Sequence, residues 1–134
     1  MSNVGEFENA ILEAYEQTTF QVKDGSGKLI SFTVKNWQTH PFLKNKRFAI
    51  ITAFNPMNKV VSAAENQKNN LCLEQVLKEM GLLFYASVGA LGDHSEESFT
   101  IEGITLSEAR ALGRRFEQYA ILYCDQNGPY FSRC

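Results

Sequence analysis

The chain has 134 residues, 44% of them hydrophobic and 21% charged, which is the composition of one globular domain with a buried core and no bias towards disorder. Its formal net charge of -2 gives no overall attraction for nucleic acid or anionic membrane, so composition argues against nucleic acid as a partner. No apolar run approaches the ~20 residues that cross a bilayer, and we expect a cytoplasmic protein with no membrane partner, its oligomeric state left open.

The first third of the chain predicts a helix followed by a β-hairpin. Apolar residues recur at helical spacing from Val4 to Gln17, which indicates an amphipathic helix. Two β-rich segments, Thr18 to Val22 and Leu29 to Val34, flank the turn residues Asp24 to Gly27, and this pattern is typical of a hairpin. The segment Lys35 to Lys46 has no periodicity and holds the only tryptophan, so we interpret it as a covering loop.

Six elements are predicted from Arg47 onwards, in the order strand, helix, strand, strand, helix, strand. They are the strand Arg47 to Phe54, a helix opened by Ser62 and Glu65 and ended by Gly81, the strands Leu82 to Ala90 and Glu97 to Glu102, a helix opened by Thr105 and Glu108, and the strand Ala120 to Cys124. A last short strand is predicted around Tyr130 and Phe131.

This order is the split βαβ arrangement of ferredoxin-like sandwiches, in which both helices cover one face of a mostly antiparallel sheet. We predict an α+β fold with a single domain over residues 1–134. Its βαββαβ core spans residues 47–124, and residues 1–34 form an N-terminal helix and hairpin that extend or cover the sheet.

Four polar segments should converge at one end of the predicted sheet. They are the strand end Thr52 to Asn55, the helix start with Ser62 and Asn66, the loop of residues 89–97, and the helix end with Arg115 and Gln118. Asn55 before Pro56 also fits an ordinary turn, and Asn66 fits either a solvated first turn or a buried amide. Because that first turn should open onto a pocket, we expect Asn66→Ala to leave the melting temperature nearly unchanged.

The residue types at this end suit a small polar or anionic ligand. Amides both donate and accept hydrogen bonds, which orients a polar molecule. A free helix N-terminus with an arginine nearby favours a carboxylate or phosphate. The predicted ligand-binding residues are Thr52, Asn55, Ser62, Asn66, Arg115 and Gln118.

Glu97 has two interpretations, because it shares a strand face with Phe99 and Ile101. Its carboxylate should be substantially buried and needs a partner, for which Arg115 is the nearest candidate in a structural salt bridge. Alternatively, Glu97 and His94 are the catalytic residues of a hydrolase or transferase, with Glu97 as general base. The acidic residues around His94 match no standard ligand spacing, so we predict no metal, and no motif identifies a cofactor.

The three cysteines match neither a zinc site nor a redox pair. Their spacing, at Cys72, Cys124 and Cys134, has no paired motif. We expect Cys72 and Cys124 to be small reduced core or near-core residues, and Cys134 to be an ordinary exposed thiol.

The polar segments also carry a resemblance to a known family. The matching patterns are Thr52-Ala-x-Asn55-Pro56, Ser62-x-x-x-Asn66, Glu97-Ser98 and Arg115-Phe116-x-Gln118-x-Ala120. With this combined spacing over roughly residues 48–122, the chain resembles a bacterial family known as domain of unknown function 3293. Phe54 stands where members usually have tryptophan, and Glu117 where glycine is common. The resemblance implies no established activity or substrate, and it strengthens the polar end as the site.

Three functions from different classes follow from these observations. The favoured hypothesis is a small-molecule binding domain, and the second is a hydrolase or transferase. The third is a nucleic-acid or protein interaction module. Ferredoxin-like sheets often bind RNA through aromatic residues on their open face, but no such aromatic and basic pattern stands on these strands.

Overall fold

The computed structural model describes residues 13–23, 26–37 and 46–134, which form an α+β fold. The described part of helix α1 is residues 13–17, and the longer helices are α2 (Ala63–Glu79) and α3 (Leu106–Arg115). The strands are β1 (Thr19–Lys23), β2 (Leu29–Phe32), β3 (Phe48–Ile51), β4 (Leu83–Leu91), β5 (His94–Glu102), β6 (Ala120–Asp125) and β7 (Gly128–Arg133). The first nine residues of the predicted N-terminal helix, the hairpin residues 24–25 and the predicted loop residues 38–45 lie outside the described residues.

The seven strands form one antiparallel sheet in the order β2-β1-β4-β5-β3-β6-β7. This sheet curls strongly. The ring of Phe20 in β1 lies 5.9 Å from that of Phe131 in β7, although four strands stand between β1 and β7. We call the inner side of the curl the concave face, and the side that carries α2 and α3 the helix face.

Strand β3 is buried on both faces, which explains its unbroken apolar run. Ala49 and Ile51 join the core under the helices, whose other members include Leu73, Leu77, Phe99, Ile101 and Leu112. Phe48 and Ile50 join a second core on the concave face, together with Phe20, Val22, Phe32, Leu122 and Cys124. The alternation of side chains along one strand thus divides the apolar residues between two cores.

The two long helices start at the caps that the sequence predicts. Ser62 Oγ accepts a hydrogen bond from the backbone N–H of Glu65 at 3.1 Å, and Thr105 and Glu108 form a complete capping box. Gly81 follows α2 at φ +70°, a conformation that glycine adopts without strain. In the described part of the chain, no helix is long and apolar enough to cross a membrane.

The connection between β4 and β5 is tighter than predicted. We expected a loop over residues 89–97, but β4 continues to Leu91 and β5 begins at His94, so only two residues join the strands. Gly92 has φ +59°, and such backbone is what a two-residue hairpin turn needs. As a consequence, Glu96 and Glu97 lie on a strand and point to opposite faces of the sheet.

Two of the three cysteines are placed differently from our expectation. Cys72 is exposed on α2, whereas Cys134 is half-buried, and only Cys124 is a core residue. Cys72 comes one residue before the buried Leu73, and this step around the helix turns its thiol away from the sheet. Burial raises the pKa of the Cys124 thiol to about 12 and also raises the pKa of Cys134.

Candidate functional site

The segment that follows β3 has an unusual backbone. Asn55, Met57 and Asn58 all have positive φ, at 46°, 53° and 62°. The 3-10 helix Pro56–Asn58 lies within this segment, and Pro56 cannot donate a backbone hydrogen bond that would continue the strand. Residues other than glycine adopt left-handed backbone at a cost, so the surrounding contacts must hold the segment in place.

Two asparagines one turn apart on α2 hold the backbone where it leaves the sheet. The side-chain oxygen of Asn70 accepts from Ala53 N at 3.2 Å, and that of Asn66 accepts from Asn55 N at 2.8 Å. Asn66 Nδ2 also donates to the side-chain oxygen of Asn55 at 3.1 Å, and Asn66 is only 7% exposed. Asn66 is therefore buried and holds the backbone, and our expectation that it lies in an open first turn was wrong.

Thr52 and Gln118 secure the same segment from other directions. The Thr52 hydroxyl donates to the carbonyl of Glu97 at 2.7 Å and accepts from Phe54 N at 3.0 Å. Gln118 Nε2 donates to the carbonyl of Phe54 at 3.1 Å. These bonds tie the end of β3 to β5 and to the residues that follow α3, so segments far apart in sequence meet here.

The predicted site residues therefore divide into those that meet and those that stand apart. Thr52, Asn55, Asn66 and Gln118 form one contiguous hydrogen-bonded group. Ser62 caps α2. The exposed Arg115 lies with its guanidinium 5.9 Å from the ring of Phe116.

Glu97 differs from its predicted role in two respects. Its side chain is exposed, and its carboxylate accepts from Gln67 Nε2 of α2 at 2.8 Å, so the expected buried salt bridge with Arg115 was wrong. Glu97 does lie on the same face as Phe99 and Ile101, but α2 covers those two residues and leaves Glu97 at the edge. His94 lies on the concave face, so the two residues predicted as catalytic are on opposite faces of the sheet.

A pocket of about 170 Å³ opens on the concave face, beneath α1. Apolar side chains line much of it, including Phe20, Ile50, Leu122 and Phe131. Polar side chains gather where β3 ends, namely Tyr15, Thr52, Asn58, His94, Glu96 and Gln118. Asn55, Ser62, Asn66 and Arg115 are not among its described lining residues.

Glu96 connects the pocket to the segment after β3. Its Oε2 accepts from Asn55 Nδ2 at 3.1 Å and lies 3.1 Å from His94 Nε2. We did not predict Glu96 as a site residue, because the expected loop concealed its place in the strand alternation. The strand-compatible run from His94 to Glu102 was the signal that would have found it.

Two further contacts shape the pocket. The ring of Phe20 lies over Gly89, where a Cβ would stand 3.3 Å from it, so the absence of a side chain there makes room for the ring. Tyr15 donates from its hydroxyl to Asn58 Oδ1 at 3.4 Å. Burial is the main cause of the raised pKa of Tyr15, and the Glu96 carboxylate adds to it, so this hydroxyl stays neutral at physiological pH.

The ionisable side chains of the pocket differ from those of the predicted anion site. Its described lining residues include the carboxylate of Glu96 and no lysine or arginine. Arg114, near the predicted anion site, donates instead to the carbonyl of Cys134 at 3.2 Å. The prediction of an anionic ligand rested on the helix N-terminus at Ser62 together with a nearby arginine, and neither Ser62 nor an arginine is among the described residues that line the pocket.

Comparison with known proteins identifies a family. No curated protein and no solved structure matches the chain. A family described as "Protein of unknown function (DUF3293)" matches residues 51–121, just over half of the sequence. The match begins at the end of β3 and runs through α2, β4, β5 and α3 into β6, so it contains the asparagine-held segment and Glu96. The chain belongs to the DUF3293 family of proteins of unknown function.

Proposed function

We propose that this protein binds a small molecule in the pocket between α1 and the concave face. The observation that carries the proposal is the pocket itself, in which apolar walls meet polar side chains at one end. Ligand sites commonly combine an apolar lining with a few polar groups that fix orientation. The proposed site is therefore on the concave surface, next to the edge at Asn55, Asn66 and Glu97 that the sequence predicted.

The volume limits the size of the ligand. An apolar cavity of about 150 Å³ accommodates benzene, so a pocket of about 170 Å³ suits a molecule with a single ring or a short branched chain. Its apolar part would contact Phe20, Ile50 and Leu122. Its polar part would face Glu96 and Asn58.

We also propose that the core is a ferredoxin-like split βαβ unit. The central strands run β4-β5-β3-β6 with every pair antiparallel, and both α2 and α3 contribute to the core on one face. This order supports the assignment. In such a unit β1 and β2 extend the sheet on one side and β7 extends it on the other, and that extension makes the curl that encloses the pocket.

A thermal-shift screen with single-ring compounds tests the binding function. A ligand that binds the native state raises the melting temperature. Ala120 lines the pocket, so Ala120→Leu should fill it and abolish the shift for each true ligand. The matched control is Ala86→Leu, since Ala86 is exposed on the helix face and should leave the shift intact.

Two results would contradict the proposal. A compound that stabilises wild type and Ala120→Leu equally binds somewhere else. A screen of several hundred single-ring compounds with no stabilising member would remove the pocket as a binding site for this class.

A hydrolase or transferase is the second candidate, with Glu96 in place of Glu97. The observation in its favour is the 3.1 Å contact of Glu96 Oε2 with His94 Nε2, because a carboxylate that orients a histidine is a common general-base arrangement. Activity on a panel of nitrophenyl esters and phosphates should fall ~10²-fold or more in His94→Ala. Ser95→Ala, which changes the next residue, should keep it. Equal activity in both variants would exclude this role.

The described residues offer no observation in favour of the third candidate, a nucleic-acid or protein interaction module. The aromatic residues that an open sheet would offer to RNA are packed here against one another and beneath α1. Tyr15 of α1 stacks on Phe131 with 5.0 Å between ring centroids.

A further inference from the structure

The charged side chains that line the pocket indicate the chemical class of its ligand, which the shape alone does not. Glu96 contributes a carboxylate, and no lysine or arginine is found among the described residues that line the pocket. A charged group taken out of water needs a partner of opposite sign. The Glu96 side chain is only partly exposed, at 29%, and His94, 3.1 Å away, is an ionic partner only when its imidazole is protonated. A ligand with a positive charge supplies a permanent partner to Glu96, whereas a negatively charged ligand meets repulsion from it.

The Glu96 carboxylate is held in position and retains acceptor capacity. Both of its hydrogen-bond contacts with described residues, Asn55 Nδ2 and His94 Nε2, are made by the same oxygen, Oε2. A carboxylate accepts about four hydrogen bonds in total, so Oε1 is left to accept from a ligand. Asn55 is itself fixed by Asn66, and this support means that little ordering of Glu96 is needed on binding.

Aromatic rings surround the same space. Tyr15, Phe20, Phe54 and Phe131 all line the pocket. The face of an aromatic ring attracts a cation, most strongly where water is excluded, and aromatic side chains with a nearby carboxylate are a common combination for ammonium groups. The hydroxyl of Tyr15 and the amide of Asn58 add neutral groups that can accept from an N–H donor.

We propose that the ligand is a small organic cation, an amine attached to an apolar body about the size of one ring. The amine would donate to Glu96 Oε1, and the apolar body would contact Phe20, Ile50 and Leu122. This inference rests on the proposed binding function and specifies the chemical class of its ligand.

Three compounds of equal size and different charge test the class. Benzylamine is cationic, benzyl alcohol is neutral and benzoate is anionic at neutral pH. In calorimetric titrations of the full chain, we expect benzylamine to bind about tenfold more tightly than benzyl alcohol, and benzoate to bind least. In Glu96→Gln that preference should fall to near equality.

Matched variants separate charge from structure. Gln at position 96 keeps an oxygen that can accept from Asn55 Nδ2, so the segment after β3 should stay in place. Glu97→Gln removes the same charge from the next residue on the opposite face and should retain the tenfold preference. Glu96→Asp keeps the charge and should retain part of the preference, which guards against a folding defect in Glu96→Gln.

The outcomes distinguish this inference from the function on which it rests. If benzyl alcohol or benzoate binds as tightly as benzylamine, and Ala120→Leu abolishes that binding, the pocket binds ligands but the cation assignment is wrong. An equal loss of preference in Glu96→Gln and Glu97→Gln also overturns the assignment. If none of the three compounds binds, both proposals fail for ligands of this size.

Discussion

The two ends of the concave face are built by different means. At the closed end, which comprises Trp37, Phe48, Cys124 and Gly128, large side chains fill the space between the strands. At the open end, which comprises residues 52–58 and the pocket, the backbone leaves the sheet and is held by Asn66, Asn70 and Gln118. Apolar packing stabilises the first end, and hydrogen bonds from side chains to the backbone stabilise the second.

This difference shows why polar residues that gather at one end of a fold are difficult to interpret. Asn55 and Asn66 have the composition of a ligand site, yet they satisfy each other and the backbone. Glu96 and Asn58 lie in the same group and line the pocket. Because the scaffold and the candidate site share one network, each role has to be tested by a variant with its own control.

The largest effect should follow a substitution at the closed end. Gly128 has φ +99°, and a Cβ there would collide with the indole of Trp37. Gly128→Ala should therefore lower the free energy of unfolding by ~2–4 kcal/mol, since it combines backbone strain with overpacking. Urea denaturation followed by circular dichroism measures this loss.

Gly27 is the control for Gly128. It has φ +86°, and beyond its two chain neighbours no atom of the described residues lies within 4 Å of a Cβ built on it, so Gly27→Ala reports mainly backbone strain. We expect Gly27→Ala to cost ~1–2 kcal/mol. If the two variants lose equal stability, the contact of Trp37 with Gly128 contributes nothing, and the closed end is less well packed than the structure shows.

At the open end, Asn66→Ala should cost ~1–3 kcal/mol, which is several degrees in melting temperature. The change leaves the backbone N–H of Asn55 and the side-chain oxygen of Asn55 without the partners that Asn66 supplies. Asn69→Ala is the control on the same helix, because Asn69 is half-buried and makes no side-chain hydrogen bond with a described residue. A negligible shift in Asn66→Ala would return Asn66 to the ligand-binding candidates.

The sequence was enough to predict which segments meet at the open end. It was not enough to predict which of their residues support the backbone and which line the pocket. Alternating strands and helices place the end of β3, the start of α2 and the residues after α3 at one edge, so connectivity, together with the family spacing, predicted that Thr52, Asn66 and Gln118 would meet. The face on which Glu97 lies followed from strand alternation. Its burial did not, because burial depends on how far α2 extends over β5.

The pocket could not be predicted from the sequence, for a related reason. Its walls include α1 and β1 near the start of the chain and β7 near its end, and these meet only because the sheet curls. Curl depends on strand twist and on contacts such as Phe20 with Phe131, which no local pattern encodes. To predict the face on which Glu96 lies, the length of the β4–β5 turn must also be known. A change of one residue in that turn would reverse the face of every side chain in β5.

The smallest effects should come from two identical substitutions that differ only in hydrogen bonding. Thr52 at the open end donates to Glu97 O and accepts from Phe54 N. Thr100, in the middle of β5 and 2% exposed, has a buried hydroxyl with no hydrogen-bond partner among the described residues.

Thr52→Val should cost ~1 kcal/mol, because it removes both bonds and leaves Phe54 N unpaired. Thr100→Val should be neutral or stabilising by a few tenths of a kcal/mol, since it replaces an unsatisfied polar group with an apolar one of the same shape. Paired melting curves measure the difference, and a loss in Thr100→Val as large as that in Thr52→Val would mean that the Thr100 hydroxyl has a partner in solution.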